Sequence, residues 1–284
     1  MESFYDDPMS PVNKDKTAKA EGSLFGELLR HRYLLWSFIN RDLKMRYGAS
    51  FMGFFWSVIN PLLQIAIYTV VFGYFLAVNV GGSAGAKNYG IFLFSGMLPW
   101  IAFSEAVVRS STVILENRDM VQQVRFPKIL LPTHVVLASF LHELIAMCIF
   151  IVLLIILGQA PEWYLVGILF IFPLQLFFTL GVCLIVSSFA VFYKDVRELA
   201  QAFLMLWFFA TPIVYPMHQV PDFLHPFFNI NPVAPLINIY RTVLLGDVMP
   251  DMWGFIYFAC FSLTVFLIGV RTFSKLSRDF PDLL

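Results

Sequence analysis

The sequence predicts an all-α integral membrane protein. Six transmembrane helices, an N-terminal amphipathic helix, and short re-entrant or extracytoplasmic helices between spans five and six make up the expected architecture. Three observations carry this. Of 284 residues, 59% are hydrophobic and 13% are charged, against about 45–50% and about 25% in soluble domains. Mean hydropathy is +0.75. The apolar residues gather into runs long enough to cross a bilayer, and the cations gather between those runs. A water-soluble enzyme, a nucleic-acid binder and a secreted disulfide scaffold are excluded on composition alone.

A span needs roughly 20 apolar residues to cover a ~30 Å hydrocarbon core. Phe54 to Val78 contains no charge, and Tyr89 to Val108 contains only Glu105. His134 to Gly158 carries His134, His142 and Glu143, Trp163 to Phe192 carries no charge, and Met252 to Val270 is again charge-free. The fifth span in chain order, Ala200 to Met217, is eighteen residues long with Pro212 and Pro216 near its end. Beyond it, Pro221, Pro226, Pro232, Pro235 and Pro250 interrupt an apolar stretch, which forbids one long helix. Two readings fit there: short re-entrant helices, or a loop lying on the protein.

Lys and Arg number 19, as do Asp and Glu, so net charge says nothing about partners. Position says more, because Lys and Arg collect in cytoplasmic loops. Sixteen of the 19 cations lie ahead of span one, between spans two and three, between four and five, or after six, whereas Lys87 and Arg241 fall on the other side. Both termini are therefore expected in the cytoplasm. The first apolar run starts after about fifty mixed residues, so no signal peptide is expected. Residues 1–23 read as a disordered tail, 24–47 as the amphipathic helix, 48–271 as the transmembrane domain and 272–284 as a cytoplasmic tail.

Within 24–47, Leu24, Leu28, Leu35, Ile39 and Leu43 recur near helical spacing among Arg32, Arg41, Lys44 and Arg46, with Tyr33 and Trp36 suited to an interface. Such a cationic helix lies in the headgroup plane or packs on a partner protein. Cys148, Cys183 and Cys260 sit in apolar runs without CxxC spacing, and read as small core residues. The loop Gly81 to Asn88 has no P-loop spacing, so this chain is expected to hydrolyse no ATP and to be no enzyme. No Asp-x-Asp stands in the sequence for metal-dependent sugar transfer. Ion coupling would need buried carboxylates. Glu105 has Arg109 four residues on, which reads as a local ion pair. Glu143 either titrates or satisfies a neighbouring helix. The loop after span two reads as one helix through Thr112, Val113, Leu115, Met120 and Val121, with mixed charge at its centre, able to dock on a partner or merely to connect spans.

Several short motifs in a fixed order carry a family resemblance. They are Asn40 to Tyr47 followed by Gly53 to Leu63, Gly96-Met97-Leu98-Pro99-Trp100, Arg125-Phe126-Pro127 with Leu131-Pro132, Tyr193-Lys194-Asp195-Val196, Thr211-Pro212-Ile213-Val214-Tyr215, and Asn231-Pro232. Together they resemble ABC-2 type permeases that export polysaccharides, with O-antigen exporters nearest and capsule and teichoic acid exporters as near relatives. Lys194 departs from the pattern, which has Arg there; the charge is kept and a bidentate donor is lost.

The resemblance implies a homodimeric permease in the bacterial inner membrane, paired with two copies of a P-loop ATPase that binds ATP and Mg, the permease itself holding no cofactor or metal. It implies that Leu115 to Val124, with Leu115, Glu116, Asn117, Arg118, Asp119 and Met120, is the coupling helix seated in that ATPase. Leu24 to Tyr47 would be an interface helix, and Pro221 to Leu245 would form helices at the extracytoplasmic mouth. Arg32, Arg41, Lys44 and Arg46 are placed to meet a lipid-pyrophosphate anchor or anionic lipid. Sugars stack on aromatic rings, and Tyr68, Tyr74, Phe103, Trp207 and Tyr215 are the candidates for a glycan channel among rings that otherwise face lipid or protein. A permease for a drug or lipid, and an ion-coupled transporter, are the alternatives.

Overall fold

A computed structural model describes residues 24–48, 56–75, 89–124, 126–158, 163–246 and 251–284. The tail 1–23, the loop Gly81 to Asn88, Arg125, the ends of the expected first span and the Arg46 side chain lie outside the described residues. In chain order come α1 (Leu24–Arg30), α2 (Arg32–Gly48) and α3 (Trp56–Tyr68), which continues as a π-helical stretch (Thr69–Phe75). Then follow α4 (Tyr89–Ser110), α5 (Val113–Glu116), α6 (Arg118–Gln123), α7 (Leu130–Ile156) and α8 (Ile168–Phe192), the last entered through a 3-10 turn (Trp163–Gly167). The chain closes with α9 (Val196–Phe209), α10 (His225–Ile230), α11 (Val233–Leu245), α12 (Met252–Leu276) and α13 (Phe280–Leu283). No strand occurs among the described residues.

Among the described residues, four helices are long and apolar enough to cross a bilayer: Tyr89–Ser110, Leu130–Ile156, Leu165–Phe192 and Met252–Leu276. Of these α4 is the hub. It is buried on nearly every side, whereas the more apolar α7, α8 and α12 leave much of their surface uncovered by protein. Phe94 stacks on Phe150 of α7 at 4.5 Å and Phe103 on Phe178 of α8 at 5.1 Å between ring centroids. The closest helix pair is α8 with α12. A Cβ placed on Gly181 would lie 2.7 Å from the backbone of Phe266, and Gly269 faces Gly181 directly. The Ser262 hydroxyl donates to the Leu174 carbonyl at 2.5 Å beside them. Small residues let two backbones approach where lipid offers no hydrophobic drive.

The fifth expected span, Ala200 to Met217, takes a different form. Helix α9 begins at Val196 and stops at Phe209, 14 residues in all, or about 21 Å, and the chain then turns through 210–215. The turn is buried, so its carbonyls need partners. Asn231 donates to Ala210 O at 3.0 Å and to Thr211 Oγ1 at 2.8 Å. Arg241 donates to Pro212 O and Ile213 O, each at 2.7 Å, and the Tyr89 hydroxyl donates to Val214 O at 2.7 Å. Side chains distant in sequence close off the helix here, which is why hydropathy runs past its true end.

Contacts fix the two ends of the bundle. Lys128, just before α7, donates to Ser277 O at 2.6 Å after α12. Phe280 of α13 is fully buried against Phe273 and Phe192 at 5.6 and 6.5 Å. This charged face therefore holds the ends of α4, α8 and α12, the start of α7, and α5, α6 and α13. Burial pushes the Lys128 ammonium below its ordinary range, while Asp282 and Asp279 oppose the change. The opposite face holds the 210–215 turn, α10 and the starts of α4 and α12. Between Pro221 and Leu245 the chain forms a 3-10 turn at Asp222–Leu224 and the helices α10 and α11, and α11 is almost wholly buried.

Candidate functional site

A groove of about 580 Å³ lies between α3, α4 and α9. Its wall is aromatic: Tyr68, Trp100, Phe208 and Phe209, with Gln64, Ser104 and Gln201 beside them. Tyr68 stacks on Phe208 at 6.0 Å, and Trp100 meets Phe208 at 5.7 Å and Trp207 at 6.2 Å. The rings brace one another, and they are positioned by the helix ends already described. Trp207 donates from its indole to Asn231 Oδ1 at 2.9 Å, so the motif residue Asn231 ties α9 to the opposite face.

The groove runs into charge through Glu105 and Arg109. Arg109 pairs with Glu105 at 3.7 Å, the local pair that the spacing predicts, and also binds Asp42 of α2. Asp42 is buried although it lies on the N-terminal helix. Sequence spacing could not find this longer link, because the partners stand 67 positions apart. Ser139 donates to Glu105 at 3.3 Å and brings α7 into the same cluster.

The helix expected over 24–47 is broken at His31 into α1 and α2. Its inner side packs on α7 through Phe38, which lies 5.4 Å from the His134 ring. Leu28, Leu35, Ile39 and Leu43 are buried or partly buried, and Tyr33, Trp36, Arg32, Arg41 and Lys44 are exposed. Tyr33, Trp36, Asn40, Arg41 and Lys44 line a shallow cavity of about 550 Å³. The Arg32 guanidinium lies 5.0 Å over the Tyr33 ring.

The single helix expected over Leu115 to Val124 is two, α5 and α6, separated at Asn117, whose side-chain amide donates to Val113 O at 2.8 Å. Ile114 and Val121 are buried anchors, while Leu115, Glu116, Arg118 and Asp119 are exposed and Asn117 and Met120 are half-buried. Arg118 and Asp119 pair at 3.6 Å.

The other aromatic candidates separate. Tyr74 is exposed on the π-helical stretch, outside the groove lining. Trp207 is half-buried behind the groove. Tyr215 lies at the opposite face, bonded to Phe209 O and 6.2 Å from Phe228. Phe103 is only 1% exposed and packs between Phe178 and Trp207 at 5.1 and 5.6 Å, so it is a core ring and not a lining one. The groove residues that sequence reasoning missed include Gln64, Trp100, Ser104, Gln201, Phe208 and Phe209. Only Trp100 carried a signal, through the Gly96 to Trp100 motif.

Glu143 accepts a hydrogen bond from Gln175 Nε2 at 2.9 Å, and Gln175 accepts one from Tyr240. The carboxylate thus joins α7, α8 and α11. Cys183 is buried, but Cys148 and Cys260 are exposed on the outer surface, which corrects the expectation of three core thiols. Among the described residues no three His, Cys, Asp or Glu side chains gather into a metal-binding group.

A helical bundle with four bilayer-length helices, lipid-compatible outer faces and an aromatic groove defines a multi-pass membrane protein. The ABC-2 type transporter family matches residues 33–245, and the chain belongs to that family. It is 31% identical over 261 residues to the O-antigen export system permease protein RfbA of Myxococcus xanthus, which covers 91% of this chain and 98% of that one. A Klebsiella pneumoniae protein of the same name is 32% identical over 247 residues, 86% of this chain and 92% of its own. The polysialic acid transport protein KpsM of Escherichia coli is 21% identical over 238 residues, 82% of this chain and 89% of its own.

Proposed function

We propose that the chain is the permease subunit of an ATP-driven exporter that moves a lipid-linked polysaccharide, of the O-antigen type, across the bacterial inner membrane. One observation carries the reading. An aromatic groove runs from the middle of the bundle into a charged cluster, on the same face as a pair of exposed mixed-charge helices. The likeness to permeases named for O-antigen export, over nearly the whole chain, supports the cargo.

In this account the groove is half of a path completed by a second copy of the chain. Six spans are reached when α3 with its π-helical extension and the short α9 line that path between the copies, and both termini are cytoplasmic. Tyr68, with Trp100 and Phe208, offers the sliding glycan many similar weak contacts. Tyr74, Trp207 and Tyr215 continue the path or brace it. Arg32, Arg41, Lys44 and Arg46 attract the pyrophosphate anchor or the anionic lipid around it. Two P-loop ATPase subunits bind ATP and Mg and press on α5 and α6 through Leu115, Glu116, Arg118 and Asp119. The push reaches α4 directly, because α5 follows it after two residues, and reaches α2 through Arg109 and Asp42.

The test is the ATPase rate of the purified complex with lipid-linked glycan, together with deletion of the chain in the cell. Stimulation by the glycan and retention of polymer inside the cell are expected. Stimulation by an amphiphilic drug or a phospholipid alone would instead make the cargo a small amphiphile.

A further inference from the structure

A further cavity, of about 460 Å³, lies on the opposite face between α10, α11 and the start of α12, inside the ~300–1,000 Å³ range of ligand pockets. Its lining includes Asn229, Asn238, Thr242, Asp251, Trp253 and Tyr257. From Val233 to Leu244 helix α11 is buried or partly buried at every residue except Asn238, which lines this cavity. Gly254 permits the enclosure, because a Cβ there would meet Asp251 Oδ2 at 2.9 Å and Pro235 at 3.2 Å.

The lining chemistry is specific. The Asp251 carboxylate accepts the backbone N–H groups of Trp253 and Gly254, each at 3.1 Å, and keeps further lone pairs on both oxygens. The Tyr257 hydroxyl donates to Ile230 O at 2.6 Å and can still accept. Thr242 spends its donor on the Asn238 backbone O at 2.9 Å, while Asn238 and Asn229 are both exposed and both line the cavity. Trp253 is 81% exposed, a broad apolar ring beside these polar groups. The described lining contains no Lys, Arg or His, and its only charge is negative. A phosphate would be repelled. A neutral polyhydroxyl ring would satisfy the amides and carboxylate along its edge and lay its C–H face on the indole.

We propose that this cavity is a saccharide subsite that holds one or two sugar rings of the polymer on the side where it leaves. The proposal rests on the exporter reading and adds a second hold on the cargo, remote from the groove and from the anchor-binding cations. Each ring caught there resists backward sliding while the ATPases reset.

The test uses the full chain with its ATPase partner in phosphatidylcholine nanodiscs. The probe is the neutral repeat-unit oligosaccharide released from the producing cell's own surface glycan, followed by saturation-transfer NMR. Trp253→Ala and Asn238→Leu should each weaken binding about fivefold, equivalent to roughly 1 kcal/mol. Trp253→Phe and Asn238→Gln should retain it, and all four variants should melt like the parent. Unchanged binding in Trp253→Ala and Asn238→Leu overturns the subsite, as does displacement of the oligosaccharide by glycerol 3-phosphate, which would mark a lipid-headgroup site. ATP-driven glycan uptake by inverted vesicles is measured alongside. Uptake by the parent without oligosaccharide binding removes the subsite alone, whereas absence of uptake by the parent removes the exporter reading.

Discussion

Arg241 is the strongest internal test of how this bundle is held together. Its guanidinium spans from α11 to the buried turn after α9, bonded to Pro212 O and Ile213 O, and lies 3.7 Å from the Phe92 ring centroid. Gly96 makes the room, since a Cβ there would come within 2.7 Å of Nη2. Arg241→Met keeps most of the volume and removes every donor. Two buried carbonyls then lose charge-assisted partners at about 1–3 kcal/mol each, and the cation–π contact goes with them. Loss of the buried cation's own desolvation cost offsets part of this, so a net destabilisation of about 3 kcal/mol is expected. Gly96→Ala should cost less, by displacing the same group. Because both changes act on one contact, the double variant should fall short of additivity by about 1 kcal/mol or more. Tryptophan fluorescence during denaturant unfolding in mild detergent measures all three. A change under about 0.5 kcal/mol for Arg241→Met, the size of an ordinary surface substitution, would refute the bridging role, and strict additivity would refute the shared contact.

Other outcomes follow from the same geometry. Gly269→Val drives a branched side chain into the Gly181 backbone and should destabilise the α8–α12 pair by about 1–3 kcal/mol, read as a lower melting temperature; an unchanged melt would mean that the helices separate freely. Phe280→Ala empties a buried site at the charged face, a loss of about 3 kcal/mol felt locally, so limited proteolysis should cut after Leu276 far faster while the bundle stays intact. Reversing both charges of the Arg118–Asp119 pair should change stability little, as exposed pairs contribute about 0–1 kcal/mol, yet lower glycan-stimulated ATPase activity of the complex severalfold. Parental activity in that variant would remove α5 and α6 from the ATPase contact.

Much of the bundle is visible in hydropathy because a long apolar run has few alternatives in a bilayer. Four runs became helices long enough to cross one. The end of α9 was not visible: it is set by Asn231, Arg241 and Tyr89, which lie 22 or more positions beyond Phe209 or over 100 before it, and periodicity carries no such information. Arg241 stood out as a cation on the wrong side of the charge distribution, and its burial supplies the reason. The Glu105–Arg109 pair was legible from four-residue spacing, whereas Asp42 was not. Facing direction was the least legible feature. In a helix apolar on all sides, Phe103 and Trp100 look alike as sequence, yet one is sealed in the core and the other borders the groove. The break at Asn117 was hidden because the apolar positions on either side of it share one helical period.

Transport by defined liposomes addresses the whole account most directly. The chain is reconstituted with and without its ATPase partner, and accumulation of lipid-linked glycan in the lumen is followed with ATP or with an imposed proton gradient. Glycan should accumulate only when partner and hydrolysable ATP are both present. Accumulation by the chain alone, driven by the proton gradient, would contradict the account.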